Sequence, residues 1–347
     1  MNILIIRVSA IGDVVHTLPA IFLLKRALPH AKIHWLVQAK AASIIKDQPF
    51  LEHVWQLPDK FFAPHNLITT LKTIRSLKKI KWDAIIDFQG LLKTSLVLAP
   101  LKGPKFGFDS TNARWKQSTW FTTHHTMPVF KNIIQKNLAL AADVITHLTH
   151  AQQLPTLATL EKDFKLTIPA NTQTIVNAWI SSKNAHNIIA LCPNTTWESK
   201  HWPLEYWQEL CTLLTKELPS HTLILIGQHR GEQASQLAAW AQQNNISLIF
   251  LPDWNLLAIA HFLTKIKLLI APDTGILHIA DFLGTPSLGI FGPTSKDKHG
   301  PFLITSNQTN AIQIDCSHYY QKSHGQNNNC MYSLTPSMLC TRIKNIL

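Results

Sequence analysis

From the second residue onward, short runs rich in Ile, Leu and Val alternate with stretches of helical period, and no other feature constrains the fold as strongly. Strands separated in this way by helices read as parallel sheets closed by crossover connections. In the first half, strands are expected at residues 2–7, 33–37, 84–87 and 105–108. Helices are expected over 13–27 and over 69–79, where Leu71, Ile74 and Leu77 recur at helical spacing. In the second half the strands fall at 187–191, 222–226, 247–251, 268–271 and 287–291, with helices at 204–217, 231–243, 256–265 and 275–283. Residues 151–174, rich in Gln, Thr, Leu and Pro and broken by Pro155 and Pro169, are the expected linker. A chain of 347 residues exceeds one typical domain and falls short of three, so the expectation is two α/β domains. The polar tract 321–329 reads as an exposed loop.

The charge is uneven. Residues 1–150 carry 19 Lys+Arg against 8 Asp+Glu, a surplus of 11, whereas residues 151–347 carry 13 against 12. A field of that sign concentrates anionic partners, which include nucleic acid, phospholipid headgroups and acidic glycans, or it serves only solubility. The apolar opening, 1–24, resembles a signal peptide until Asp13 and His16 interrupt it; no basic segment precedes it and no small-residue cleavage site follows. No stretch reaches the roughly 18 uninterrupted apolar residues of a spanning helix, so a cytoplasmic protein is expected. Five cysteines, at 192, 211, 316, 330 and 340, form no CxxC pair and suggest no disulfide framework; Cys316 and Cys330 are the one pair of interest.

Four segments carry chemistry. Ser9-Ala10-Ile11-Gly12-Asp13 sits where the first strand turns into its helix. The carboxyl ends of parallel strands build the ligand crevice, so Asp13 is either a general base or a helix N-terminal carboxylate favoured by the macrodipole. A lone Gly12 is not the GxGxxG fingerprint, which argues against a nicotinamide cofactor. Asp273-Thr274-Gly275-Ile276-Leu277-His278 follows another strand: Gly275 permits close backbone approach and the new helix turns its N–H groups toward a phosphate. There His278 either donates to a phosphate oxygen or packs as an ordinary helical residue. Thr195-Thr196-Trp197-Glu198-Ser199-Lys200-His201-Trp202-Pro203 offers two hydroxyls and a lysine, suited to a diphosphate and equally to a capped loop before a helix. Phe291-Gly292-Pro293-Thr294 ends a further strand in a turn that could line the same pocket.

Together these segments resemble the glycosyltransferases that add heptose to lipopolysaccharide, glycosyltransferase family 9. The resemblance is carried by Arg7-Val8-Ser9-Ala10-Ile11-Gly12-Asp13-Val14-Val15-His16-Thr17-Leu18-Pro19, Lys200-His201-Trp202-Pro203, Asp273-Thr274-Gly275 with His278, and Gly292-Pro293-Thr294. The segment Ile86-Asp87-Phe88-Gln89-Gly90-Leu91-Leu92-Lys93 is more similar to members that act on Kdo than to those that extend the first heptose. The resemblance implies the GT-B fold, two Rossmann-like domains facing across a cleft: an acceptor domain over 1–170 and a donor domain over 171–347 whose last helix crosses back. It implies ADP-heptose as donor, Kdo-lipid A as acceptor and inversion at the anomeric carbon. Asp13 would be the base. Thr195, Thr196, Lys200, Thr274 and Gly275 would hold the diphosphate, with Asp273 and His278 completing the donor site and Glu232 on the ribose. Ser9, Gly12, His16, Lys60, Gln89, Lys93 and Arg114 would meet the acceptor. No metal and no cofactor are implied, because helix N-termini and Lys200 can neutralise the leaving diphosphate. The implied location is the cytoplasm, peripheral and transient on the inner face of the inner membrane, with no nucleic-acid partner. Three rival readings are another transferase of the family, such as heptosyltransferase II, a GT-B sugar-nucleotide epimerase, and a nucleic-acid-binding protein supported by charge alone.

Overall fold

The computed structural model describes residues 1–150, 153–227, 231–302, 309–313 and 330–347. They form two compact units, Met1–Thr167 and Ile168–Leu347. In the first unit the order is β1 (Asn2–Ile6), α1 (Ile11–Val15), α2 (Leu18–Ala27), β2 (Lys32–Gln38), α3 (Ala39–Ala42), β3 (His53–Leu57), α4 (Pro64–Leu77), β4 (Ala84–Asp87), α5 (Leu92–Leu98), β5 (Lys105–Phe108), β6 (His124–Thr126), α6 (Ile133–Thr149) and α7 (Leu157–Leu160). The second unit continues with α8 (Ala170–Ser182), β7 (Ile189–Leu191), α9 (Leu204–Glu217), β8 (Leu223–Leu225), α10 (Glu232–Gln243), β9 (Leu248–Phe250), α11 (Leu256–Leu263), β10 (Leu268–Pro272), α12 (Gly275–Phe282), β11 (Ser287–Phe291), α13 (Lys296–His299), β12 (Thr309–Gln313) and α14 (Pro336–Ile346).

Each unit holds a six-stranded, wholly parallel sheet: β3-β2-β1-β4-β5-β6 and β12-β11-β10-β7-β8-β9. Central strands covered on both faces are continuous apolar runs, as in Ile3-Leu4-Ile5-Ile6 and Leu268-Leu269-Ile270-Ala271, all fully buried. The register sets Ile5 between Trp35 and Ile86, and Ile270 between Leu191 and Leu288. In both sheets the chain reverses its direction of travel at one place, between β1 and β4 in the first and between β7 and β10 in the second. Such switch points open a crevice at the carboxyl ends of the strands, where parallel α/β sheets bind ligands.

Three local expectations change. Residues 13–27 are not one helix: the chain breaks at His16 and Thr17, where Thr17 Oγ1 donates to Asp13 O (2.8 Å) and Pro19 opens α2. The expected linker 151–174 contains α7, a 3₁₀ turn at Glu161–Asp163 and the start of α8. Its Thr167 is anchored to the first unit, since Gln48 Nε2 donates to Thr167 O (3.0 Å) and Thr167 N–H donates back to Gln48 Oε1 (2.8 Å). The tract 321–329 and Cys316 lie outside the described residues. Cys330 is disulfide-bonded, which the spacing of the cysteines did not lead us to expect. In the second unit α14 packs on α9, and Trp202, fully buried, donates from Nε1 to Leu334 O (2.9 Å).

Candidate active site

In the first unit, the loops after β1, β4 and β5 meet because those strands are neighbours. Arg7 directly follows β1 with 1% of its surface exposed, a position only a partnered charge can hold. Its Nη2 lies 3.1 Å from Asp13 Oδ1, its Nε donates to Asp13 O (3.2 Å), and its Nη1 donates to Phe88 O after β4. Asp13 lies in the first turn of α1 and reaches back so that Oδ2 accepts from Ala10 N–H (3.2 Å). From the loop after β5, Arg114 places Nη2 2.7 Å from the same Oδ2. Burial works to raise the Asp13 carboxyl, yet Arg7, then Arg114 and His16, hold it well below the usual carboxylate range. Burial also brings the Arg7 guanidinium down to about 10, so it remains charged at neutral pH.

A second buried acid supports this arrangement. Asp87 Oδ1 accepts from Gln89 N–H (2.9 Å) and Gly90 N–H (3.1 Å), while burial pushes its carboxyl up to about 6. Gln89 Oε1 in turn accepts from Val8 N–H (3.1 Å) and Ser9 N–H (3.3 Å), tying the loop after β4 to the loop that carries Asp13. Gly90 takes a left-handed φ of 59°, and a Cβ there would stand 3.3 Å from Arg114 N. Gly12 O accepts from His16 N–H (2.8 Å), closing α1, and the buried His16 passes its own carbonyl to Asn137 Nδ2 (2.9 Å). Ser9, Gly12, His16, Gln89 and Arg114 thus gather around Asp13. Lys60 and Lys93 group instead around Phe61: Lys93 Nζ lies 5.8 Å from that ring's centre, and Lys60 directly precedes it in left-handed conformation.

In the second unit the switch point joins the loop after β7 to the loop after β10. Lys200 Nζ lies 2.6 Å from Asp273 Oδ2 and 3.4 Å from Asp273 O, over the Trp197 ring at 4.7 Å. His278 Nε2 lies 2.9 Å from Asp273 Oδ1. Burial works to raise Asp273; the hydrogen bond and charge of His278, then Lys200, hold it well below its ordinary value. An ionised carboxylate only accepts, so Nε2 is the protonated ring nitrogen. An ammonium carries three N–H donors, so Lys200 keeps capacity beyond Asp273. Thr274 Oγ1 caps α12 by accepting from Leu277 N–H (3.4 Å), with Gly275 as the first helical residue. Thr195 Oγ1 donates to Trp197 O (2.5 Å), shaping the loop, and Thr196 is exposed beside it. Glu232 begins α10, exposed, its Oε1 accepting from Gln236 Nε2 (3.2 Å).

Asn194 escaped the sequence reading. Its Oδ1 accepts from Ala234 N–H (3.2 Å) in the first turn of α10, and a Cβ on Gly231 would stand 1.7 Å from its Nδ2. The glycines at 227 and 231 were the available signal, because a Cβ on either would stand within 3.3 Å of the Asn194 Nδ2.

A family model described as Glycosyltransferase family 9 (heptosyltransferase) matches residues 70–331, most of the chain. The chain belongs to glycosyltransferase family 9. This family 9 enzyme is 28% identical over 310 residues to lipopolysaccharide heptosyltransferase 1 of Pseudomonas aeruginosa, covering 87% of the chain and 81% of the relative. It is 27% identical over 301 residues to lipopolysaccharide heptosyltransferase 1 of Escherichia coli K12, covering 85% and 88%. The structure of E. coli heptosyltransferase WaaC with ADP matches it over the full length of both chains with a TM-score of 0.78 at 22% identity. At that identity the likeness speaks for the fold, and the expected GT-B class holds for the family 9 enzyme. No helix among its described residues is long and apolar enough to cross a membrane.

Proposed function

We propose that this glycosyltransferase moves L-glycero-D-manno-heptose from ADP-heptose onto the Kdo of Kdo-lipid A, inverting the anomeric carbon, in lipopolysaccharide inner-core synthesis. Asp13 takes the proton of the Kdo hydroxyl as its oxygen bonds to the heptose anomeric carbon. The bond from that carbon to the diphosphate breaks on the opposite face and ADP leaves with the electron pair. Thr195, Thr196, Lys200, Thr274 and Gly275 hold the diphosphate, Asp273 and His278 orient Lys200, and Glu232 takes the ribose. Ser9, Gly12, His16, Gln89 and Arg114, with Lys60 and Lys93, receive an acceptor whose carboxylates and phosphates suit the basic first half. The enzyme works in the cytoplasm and visits the inner leaflet, where its acceptor is embedded.

One observation carries the reading: Asp13 stands ionised at the switch point of the first sheet, held by a buried guanidinium on one side and a half-exposed one on the other. The test is transfer from ADP-heptose to purified Kdo-lipid A, read by mass spectrometry for the wild type and Asp13→Asn. A positioned base contributes on the order of 10²–10⁴ in rate, so the Asn variant should fall by that factor while ADP-heptose still binds. A fully active Asn variant would remove Asp13 from the role. Binding of ADP-heptose by a wild type that transfers nothing to Kdo-lipid A would move the acceptor elsewhere in the family.

A further inference from the structure

The helices of the first unit do not share the same outer surface. On one face of the sheet, Leu4, Ile6, Leu36 and Ile85 pack against Ile74 and Leu77 of α4 and Val97 and Leu98 of α5, with Phe121 of the 3₁₀ turn Lys116–Phe121 against the same cluster. These three elements are therefore one layer. The backbone ties it together, since Trp115 N–H donates to Gly90 O (3.0 Å) just before α5, and the 3₁₀ turn packs on α5. Lys93 over Phe61 links α5 to the approach of α4.

The outward side of this layer is apolar where solvent should favour polar residues. Ile68 is 70% exposed and Trp120 78%, joined by Leu71 on α4, Leu96 on α5 and Trp115. An apolar surface of several large side chains on neighbouring elements marks an interaction site. Lys72, Arg75 and Lys116 stand exposed among them. Between Lys60 and Phe121 the acids are Asp83, Asp87 and Asp109. Asp83 accepts from Asn2 N–H (2.7 Å), and Asp87 and Asp109 are buried, so none offsets the basic side chains of the layer. Exposed Trp and aliphatic residues interleaved with cations, with no exposed acid, match an anionic bilayer interface, where indole rings sit at headgroup depth and lysines meet phosphates. A protein partner of ordinary mixed charge would leave those cations unanswered.

We propose that the outer face of α4, α5 and the 3₁₀ turn Lys116–Phe121 docks on anionic phospholipid, inserting Ile68 and Trp120 between headgroups. The inference deepens the reading of a lipid-linked acceptor given above and rests on it for its purpose. Arg114, which touches Asp13, adjoins Trp115 in the chain, so the docked face lies next to the base that the acceptor must reach.

The experiment is co-sedimentation of the full chain with phosphatidylcholine vesicles with and without phosphatidylglycerol, alongside transfer to a Kdo acceptor stripped of its acyl chains. The wild type should bind the anionic vesicles and release as salt rises. Ile68→Ala with Trp120→Ala should lower binding about tenfold. Lys72→Gln and Lys116→Gln should each lower it roughly fivefold, on anionic vesicles alone. Transfer to the soluble acceptor should stay unchanged in all of them, because none of these residues holds a substrate. Wild type that ignores anionic vesicles, or variants that bind like wild type, would overturn the inference. A dimer that Ile68→Ala dissociates, with vesicle binding intact, would assign the face to a second copy instead. Failure of transfer to the soluble acceptor by the wild type counts against the proposed function and leaves vesicle binding to be judged alone.

Discussion

Replacing Arg7 by Met tests the reading of the first site at its most buried point. Met keeps an unbranched apolar stem and removes the charge, so Asp13 retains Arg114 as its ion-pair partner among the two guanidiniums. The Arg114 side chain is 41% exposed, and a pair screened to that degree stabilises by about 1 kcal/mol at most. Removing one member of a buried pair leaves an uncompensated charge and costs about 3–5 kcal/mol. The donors to Phe88 O and Asp13 O are lost as well, within that figure rather than added to it. With a urea m-value of about 2 kcal/mol per molar for a unit of this size, the midpoint of the first unit should drop by roughly 1.5–2.5 M at pH 7. The sign of the pH dependence follows from Asp13, whose folded pKa is depressed. Its contribution is complete above the unfolded value near 3.9 and is lost as pH falls from there through the folded value. The gap between wild type and variant should therefore be widest at neutral pH and narrow below about pH 4. Urea titrations followed by circular dichroism at pH 7 and in acid would read both quantities. A midpoint lowered by less than about 0.5 M, or a gap that widens in acid, would refute the clamp as a source of stability.

Lys200→Gln should weaken ADP binding roughly ten- to a hundredfold by calorimetry, the equivalent of about 1.5–3 kcal/mol for a charged hydrogen bond. Gly231→Ala should cost about 1–3 kcal/mol in thermal or urea denaturation, since the new Cβ collides with Asn194; adding Asn194→Ala should recover part of it. Burial pushes the Cys192 thiol up to about 12, and Cys211 likewise, so in the folded chain at pH 8 neither should react with iodoacetamide until denaturant exposes them, as peptide mass mapping would show.

The fold was legible where the sheet is deepest. Strands with both faces covered are uninterrupted apolar runs, and β1, β4, β10 and β11 stand within a residue or two of expectation. The edges were not. β3, read as His-Val-Trp-Gln-Leu, and β6, read as His-His-Thr, are short edge or near-edge strands whose polar residues hide the pattern. No helix was expected over 133–149, although Ile134, Asn137, Leu140, Ala141, Val144 and Ile145 turn one buried face inward and Asn132 caps the start. There the signal existed, and the polar Asn137 on the buried face diluted it. The strand-end motifs marked Asp13, Lys200 and Asp273 because local chemistry sits in adjacent letters. Their partners lie elsewhere: Arg114 is 101 residues from Asp13 and Asp273 is 73 from Lys200, and only strand order brings each pair together.

The two guanidiniums on Asp13 do different work because their burial differs. Arg7 is enclosed and held by Phe88 O and Asp13 O as well as by the carboxylate, so its position is fixed by the fold. Arg114 reaches Asp13 from an exposed loop and holds Oδ2 by one contact, so it can exchange a carboxylate of the protein for another anion at little cost. A carboxylate under both cations is ionised at every working pH but binds a proton weakly. Drawing Arg114 toward an incoming anionic group removes one of the charges that lower the Asp13 pKa, and so raises its proton affinity when a hydroxyl arrives with that group. Arg7 meanwhile keeps the carboxylate in place. On the proposed reading, the enclosed cation fixes the carboxylate and supplies most of its depressed pKa, and release of the exposed one is the step that raises its proton affinity toward an alcohol.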